Sequence, residues 1–269
     1  QLETDFVVCG GGLSGICAAV SAARHGAKVI LIQDRPVLGG NASSEMRMGI
    51  VGVKNDEAQE TGLLEEIQLR NFYYNPLLRY TLWDDIMYTT VVKEKNIKLL
   101  LNTSVQDVVM DGEKIAAVKC WNTNAYTRYT IKGKLFADCT GDAILRLSGA
   151  QYRWGRELGS EFKESYVTEG GDSKTMGNSI LLQLRKTKED HPFIAPDWAY
   201  HFTDDDFNYD KPKSTIPGVK FNYKKPFPRD NNYWWIEFGG TINTIFDAND
   251  IQFELKRIAY GVWEYMKNH

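Results

Sequence analysis

The sequence predicts an α/β fold followed by a β-rich part, and three observations carry that reading. An apolar run (Phe6–Val8), a glycine cluster, a small-residue segment and a second apolar run (Val29–Ile32) succeed one another within about 30 residues. Several short apolar runs between 97 and 131 are punctuated by turn residues. From Gln151 onward Tyr and Trp become frequent and charges cluster. The 269 residues suffice for one large domain or two smaller ones, and 43% hydrophobic with 25% charged residues suits a globular chain. A net charge of −3 without a basic block argues against nucleic acid or an anionic membrane as partner. No apolar run approaches the roughly 20 residues that span a bilayer. Cys9, Cys17, Cys120 and Cys139 lack CxxC spacing, so they read as buried thiols rather than a disulfide framework or zinc site. Gln1 at the start fits a removed signal or a trimmed chain. The compartment therefore stays open between cytoplasmic and periplasmic or secreted.

The glycine cluster is the first site. Gly10, Gly12 and Gly15 stand in GxGxxG spacing between a strand and a helix, the setting that makes this motif informative. Gly10 permits a tight turn, Gly12 lets backbone approach a pyrophosphate, and Gly15 lets helix and strand pack closely. Leu13, Ser14 and Gly15 open the helix, whose N-terminus offers N–H groups and a positive dipole end. This is a Rossmann-like dinucleotide site. The helix ends near Gly26, and the second strand leads to Gln33, 18 residues after Gly15, where such folds place an acid for the adenosine ribose. The Gln33 amide oxygen can accept a ribose hydroxyl without charge assistance, with Asp34 as substitute and Arg35 beside it.

Next comes "LGGNASSEMR", with a second glycine pair (Gly39, Gly40) and small polar residues. This segment resembles the FAD-dependent oxidoreductases related to the fumarate reductase and succinate dehydrogenase flavoproteins, in which it passes beneath the flavin diphosphate. The resemblance implies FAD as cofactor. Asn41, Ser43 and Ser44 would act as donors to phosphate and ribityl oxygens, and Arg47 as a counter-charge or a grip on an acidic substrate. For Arg47 a structural ion pair is the competing reading. Relatives with covalent flavin carry a histidine beside the glycine pair. Asn41 there implies a non-covalent cofactor.

Helices follow near Gly62–Phe72 and Leu82–Glu94, the second with Leu82, Ile86 and Met87 at helical spacing. "IKLLLN" (Ile97–Asn102) reads as a buried strand. "SVQDVVM", "IAAVKCW" and "RYTI" read as a three-stranded meander placed before a last core strand, Lys134–Ala143. A meander at that point resembles the flavin branch of the fold, where NAD domains carry a helical crossover. By resemblance Val105 lies against adenine. Thr140-Gly141-Asp142 resembles the ATG motif of these flavoproteins with Cys139 at the alanine position. Asp142 reads as the cap of the helix that follows.

The organisation predicted is an FAD-binding domain of glutathione-reductase type over 1–150, a β-rich substrate or cap domain over 151–240, and an amphipathic helix over 241–269. By resemblance that helix leads toward a missing return segment. In the second part "TMGNSILLQLRKT" and "NYWWIEFGG" read as strands. Tyr233, Trp234 and Trp235 read either as core or as a wall stacking on a carbohydrate-like ring. Asp204, Asp205 and Asp206 invite a metal, but adjacent carboxylates point apart, and none is expected. The implied activity is hydride transfer between a small organic substrate and bound flavin, with the electron partner open. Glu45, Arg47 and Glu237 are the catalytic candidates. The rival readings are an NAD-binding protein of similar fold and a non-catalytic FAD-binding remnant.

Overall fold

The structure is a computed structural model, and it describes residues 1–50, 52, 60–141, 143–167, 170–185, 187–206 and 232–268. The chain forms two compact units, Gln1–Tyr152 and Arg153–His269.

The first unit is built on one six-stranded sheet. Strands β1 (Leu2–Cys9) and β2 (Val29–Ile32) enclose helix α1 (Leu13–Arg24) in sequence and lie parallel, with Val8 opposite Leu31. Helices α2 (Gly62–Tyr74) and α3 (Tyr80–Val92) precede β3 (Ile97–Leu100), which adds parallel to β2. A meander follows: β4 (Thr103–Asp111), β5 (Lys114–Asn122) and β6 (Thr127–Asp138). The order across the sheet is β3-β2-β1-β6-β5-β4. Short helix α4 (Ala143–Leu147) closes the unit.

The third meander strand and the last core strand, expected as separate, are one strand. Residues 127–132 of β6 pair antiparallel with β5, and residues 131–138 pair parallel with β1. The chain has no turn between Ile131 and Leu135. Gly133 stays in the strand because a Cβ there would lie 2.7 Å from Val7 Cγ2.

The apolar runs of β1 and β2 are continuous because both sheet faces are covered. Val8, Val29 and Leu31 pack with Ile16, Ala19 and Val20 of α1 on one face. Val7, Cys9, Ile30 and Ile32 pack with Val108, Val118 and Cys120 of the meander on the other. Each such side chain contributes about 1.5–3 kcal/mol by burial. Helices on one face and a β-layer on the other give three layers. The core face of α3 is Trp83, Ile86, Met87, Thr90 and Val91, whereas Leu82 is exposed. Ile86 and Met87 hold the expected core positions, and Trp83 takes the place expected of Leu82 because either can serve as a large core residue.

The second unit contains short helix α5 (Gly159–Phe162), the antiparallel pair β7 (Asn178–Gln183) and β8 (Asn232–Phe238), and helix α6 (Ala248–Asn268). Ile251, Leu255, Ile258, Ala259 and Val262 of α6 pack with Tyr233 and Ile236 of β8. Leu182 pairs with Tyr233 but Ile180 with Ile236, so β8 bulges there. The bulge resets strict alternation and turns Tyr233 and Ile236 to the same core. Tyr233 is therefore core rather than a substrate wall; the side chains of Trp234 and Trp235 lie outside the described residues.

Candidate functional site: a cleft at the ends of the parallel strands

The turn after β1 is held by close backbone approach. Gly10 has φ 102° and donates its N–H to Ile32 O at 2.8 Å, and a Cβ on it would overlap the Cys139 carbonyl. A Cβ on Gly15 would overlap Gly10 O, which fixes glycine where α1 crosses the turn. Gly11, a free position in the motif, is the hub. Its N–H donates to Gln33 Oε1 at 2.8 Å and its carbonyl accepts from Gly39 N–H at 2.8 Å. A Cβ on Gly11 would lie 2.6 Å from Leu38 Cδ2. Gly12 differs from all of these. Its φ of −65° suits any residue, and a Cβ there would meet nothing within 4 Å.

The second glycine pair is folded against the first. Gly39 (φ 107°) bridges to Gly12, and a Cβ on Gly40 (φ 57°) would come within 3.3 Å of Gly12 Cα. Helix α3 fixes this segment from behind, with residues that motif reading missed. Met87 fills the space a side chain at Gly39 would need, Trp83 Nε1 donates to Ala42 O at 2.8 Å, and Asp84 Oδ1 accepts from Ser44 N–H at 2.8 Å. Their signal was the core face of α3 rather than any motif. Ser43, expected as a donor to cofactor, is fully buried and donates its hydroxyl to Gly40 O at 2.7 Å. That hydroxyl works inside the turn.

Gln33 is 4% exposed, and its amide is committed to the chain: Oε1 accepts from Gly11 and Nε2 donates to Val37 O at 3.1 Å. This is at odds with the expected ribose role, since the amide oxygen faces the turn. The segment after it is clamped by the start of the meander. Thr103 N–H donates to Gln33 O at 2.8 Å and Asn102 N–H to Arg35 O at 3.2 Å.

These pieces enclose one cleft of 380 Å³. Its walls include Gly10, Gly12, Gln33, Asp34 and Arg35; Gly40 and Asn41 face it from the second segment. Val105, Thr140 and Gly141 complete the expected residues in it, and Thr103, Ser104 and Cys139 join them. Leu13, Ser14, Gly15, Gly39, Ser43 and Ser44 do not line it, though Gly15 and Gly39 shape the turns beneath it. Asp142 lies outside the described residues. At the start of α4 the Thr140 hydroxyl accepts from Ala143 N–H and Asp138 accepts from Leu145 N–H, both at 3.0 Å. Burial pushes the Cys139 thiol above its ordinary range, against a hydrogen bond with Ser14.

None of the catalytic candidates lines this cleft. Glu45 pairs with Arg35 at 3.1 Å. Arg47 (φ 57°) donates Nε to Ser44 O and lies 5.2 Å from the Tyr80 ring centroid, contacts within its own segment and to α3 rather than the ion pair expected as the alternative. Glu237 sits in the second unit and accepts from Gly177 N–H at 2.8 Å. Among the described residues no group of three His, Cys, Asp or Glu side chains can hold a metal. Asp206 accepts from Thr203 and Asp204 from Tyr265.

A protein family described as FAD dependent oxidoreductase matches residues 5–269. The chain belongs to the FAD-dependent oxidoreductase family. A fumarate reductase (cytochrome) of Shewanella frigidimarina is 60% identical over 38 residues, which are 14% of this chain and 7% of that protein. The chain thus corresponds to a small part of that relative's length. Among solved structures, THI4 of Thermovibrio ammonificans is similar at a TM-score of 0.42 and 20% identity over 58% of this chain and 67% of that one. The myxobacterial chondrochloren halogenase CndH is similar at 0.40 and 16% identity, over 53% and 38% respectively.

Proposed function

We propose that this FAD-dependent oxidoreductase holds FAD without a covalent link across the cleft of the first unit and transfers a hydride between it and a small organic substrate. Gly12 carries this reading. Within the chain nothing requires glycine there: φ is −65° and the space beside its Cα is empty. A ligand that packs on the backbone supplies the reason, and a pyrophosphate at the start of α1 meets N–H groups and the positive dipole end. Gly40 and Gly141 add bare backbone along the same cleft.

When bound, the flavin supplies the two-electron redox chemistry. The chain's own residues bind and orient. The N–H groups of the first turn of α1, which no side chain caps, would be the donors for the diphosphate. Asp34 and the Thr103–Val105 segment would hold the adenosine end, and Asn41 with Thr140-Gly141 the ribityl end. Asn41 is exposed and offers an amide but no nucleophile for a covalent bond. The meander layer on one sheet face favours FAD over NAD as the dinucleotide. No described helix is long and apolar enough to cross a membrane.

Purified protein should show the visible absorption of a flavin, or gain it when FAD is added, and acid precipitation should release all of that colour into the supernatant. Protein that stays colourless with FAD and binds NAD instead would overturn the proposal. Flavin retained in the pellet would overturn the non-covalent part.

A further inference from the structure

Gln33 stands where dinucleotide folds present an acid to the ribose, yet its side chain faces the glycine turn. All of its polar groups have partners within the chain. The backbone N–H donates to Leu100 O at 2.9 Å, the carbonyl accepts from Thr103, and the amide spans Gly11 and Val37. We propose that Gln33 is a positioning residue that fixes the glycine turn for the dinucleotide, and that recognition of the adenosine ribose falls to Asp34. This rests on the FAD reading above.

The clamp requires one group that accepts and donates at once. Oε1 takes the Gly11 N–H, and Nε2 gives a proton to Val37 O. Gly11 in turn receives the N–H of Gly39 on its carbonyl, so the amide ties both glycine turns to the end of β2. A carboxylate, the residue type expected for ribose, accepts from Gly11 but cannot donate to Val37, and it would be an ion in a site 4% exposed. Asp34 is the next residue, exposed, on the cleft wall, and without a hydrogen-bond or ion-pair partner among the described residues. Arg35 beside it is paired with Glu45, which leaves the Asp34 carboxylate as the acceptor for ribose hydroxyls.

The test uses the sign of a pH dependence. The titratable groups around position 33 are Asp34 and Arg35 on its own segment, Glu45 through Arg35, and the Cys139 thiol. The Gly10–Gly12 turn, Val37–Gly40 and Thr103–Val105 bring none. In Gln33→Glu at about pH 8, FAD affinity should fall on the order of tenfold and Gly11 amide exchange should quicken. Burial and the facing Val37 carbonyl raise the carboxyl's pKa, against the pull of the Gly11 N–H. Toward about pH 5.5 the protonated carboxyl donates to Val37 and accepts from Gly11, so affinity relative to the native protein should recover. Gln33→Ala should be weak at every pH. If Gln33 were the ribose ligand, Gln33→Glu would bind as well or better at high pH and lose affinity on acidification, and that result overturns the proposal. Asp34→Ala should lose on the order of tenfold in FAD affinity with Gly11 exchange unchanged; unaltered affinity overturns the assignment of ribose to Asp34. Native protein that takes up no FAD would sink the cofactor reading, while Gly11 exchange in both Gln33 variants would still decide the clamp.

Discussion

Two neighbouring glycines should respond to alanine in opposite ways. At Gly11 a Cβ would lie 2.6 Å from Leu38 Cδ2 and 2.9 Å from Gln33 Cβ, both inside the packed turn. Overpacking of this kind costs about 1–3 kcal/mol. For a unit of this size that corresponds to a Tm lower by roughly 4–8 °C at the middle of the range. At Gly12 the same methyl meets nothing within 4 Å, and φ of −65° and ψ of 178° suit alanine. Restricting the unfolded chain favours the variant by about 0.4–1 kcal/mol, and replacing an N-cap glycine by alanine costs a comparable amount, so stability should hardly change. The methyl does stand in the cleft where the diphosphate must approach. Gly12→Ala should therefore keep its Tm and lose FAD affinity, and Gly12→Val should abolish binding. Thermal melts of cofactor-free protein paired with flavin-fluorescence titrations separate the two effects. Equal destabilisation by Gly11→Ala and Gly12→Ala, or native FAD affinity in Gly12→Val, would refute the reasoning.

Other expectations concern packing and charge. Cys9 and Cys120 are buried and their thiols raised by desolvation, Cys120 to about 12, whereas Cys17 and Cys139 are part-exposed. Thiol labelling of native protein near neutral pH, read by mass spectrometry, should therefore reach Cys17 and Cys139 alone, and FAD should slow Cys139 but not Cys17. Labelling of Cys9 in the native state would contradict the packing. Trp83→Phe removes the hydrogen bond to Ala42 O while keeping much of the core volume, so it should cost about 1–3 kcal/mol and weaken FAD binding through the second glycine pair. A melt matching the native one would show that bond to be idle. In the second unit the Arg156 guanidinium holds the Asp172 carboxyl down to about 2, from an ordinary 3.8. Its contribution is then fully present above the ordinary value and disappears as pH falls through about 2. An NMR titration of Asp172 that midpoints near the ordinary value, before any change at Arg156, would contradict the pairing.

The parts legible in the sequence are those where one residue type has one physical reason. The strand–glycine–helix–strand order, the second glycine pair and the meander follow from periodicity and turn residues, and they place the cleft. Gly10 and Gly15 were legible as close-approach positions and serve as such. Gln33 was not, because a residue's type states what it can bond but not which way it faces; a 4% exposed amide beneath Gly11 is a tertiary fact. Ser43 failed likewise: a small polar residue after two glycines suits a ligand or its own turn equally well. Trp83, Asp84 and Met87 escaped because their partners in the second glycine segment lie some 40 residues away along the chain. The bulge in β8 has no glycine or proline to announce it, so alternation alone left Tyr233 open between core and substrate wall. The fusion of the third meander strand into β6 was hidden by Gly133, which looks like a breaker and is instead a close contact with Val7.

The central claim is that the cleft of the first unit takes a flavin adenine dinucleotide. Calorimetric titration of cofactor-free protein with FAD, and separately with NAD, tests it most directly. Saturable binding of FAD at one site, lost in Gly12→Val, with NAD weak or silent, is the predicted result. Tight NAD binding alongside no heat from FAD would contradict it.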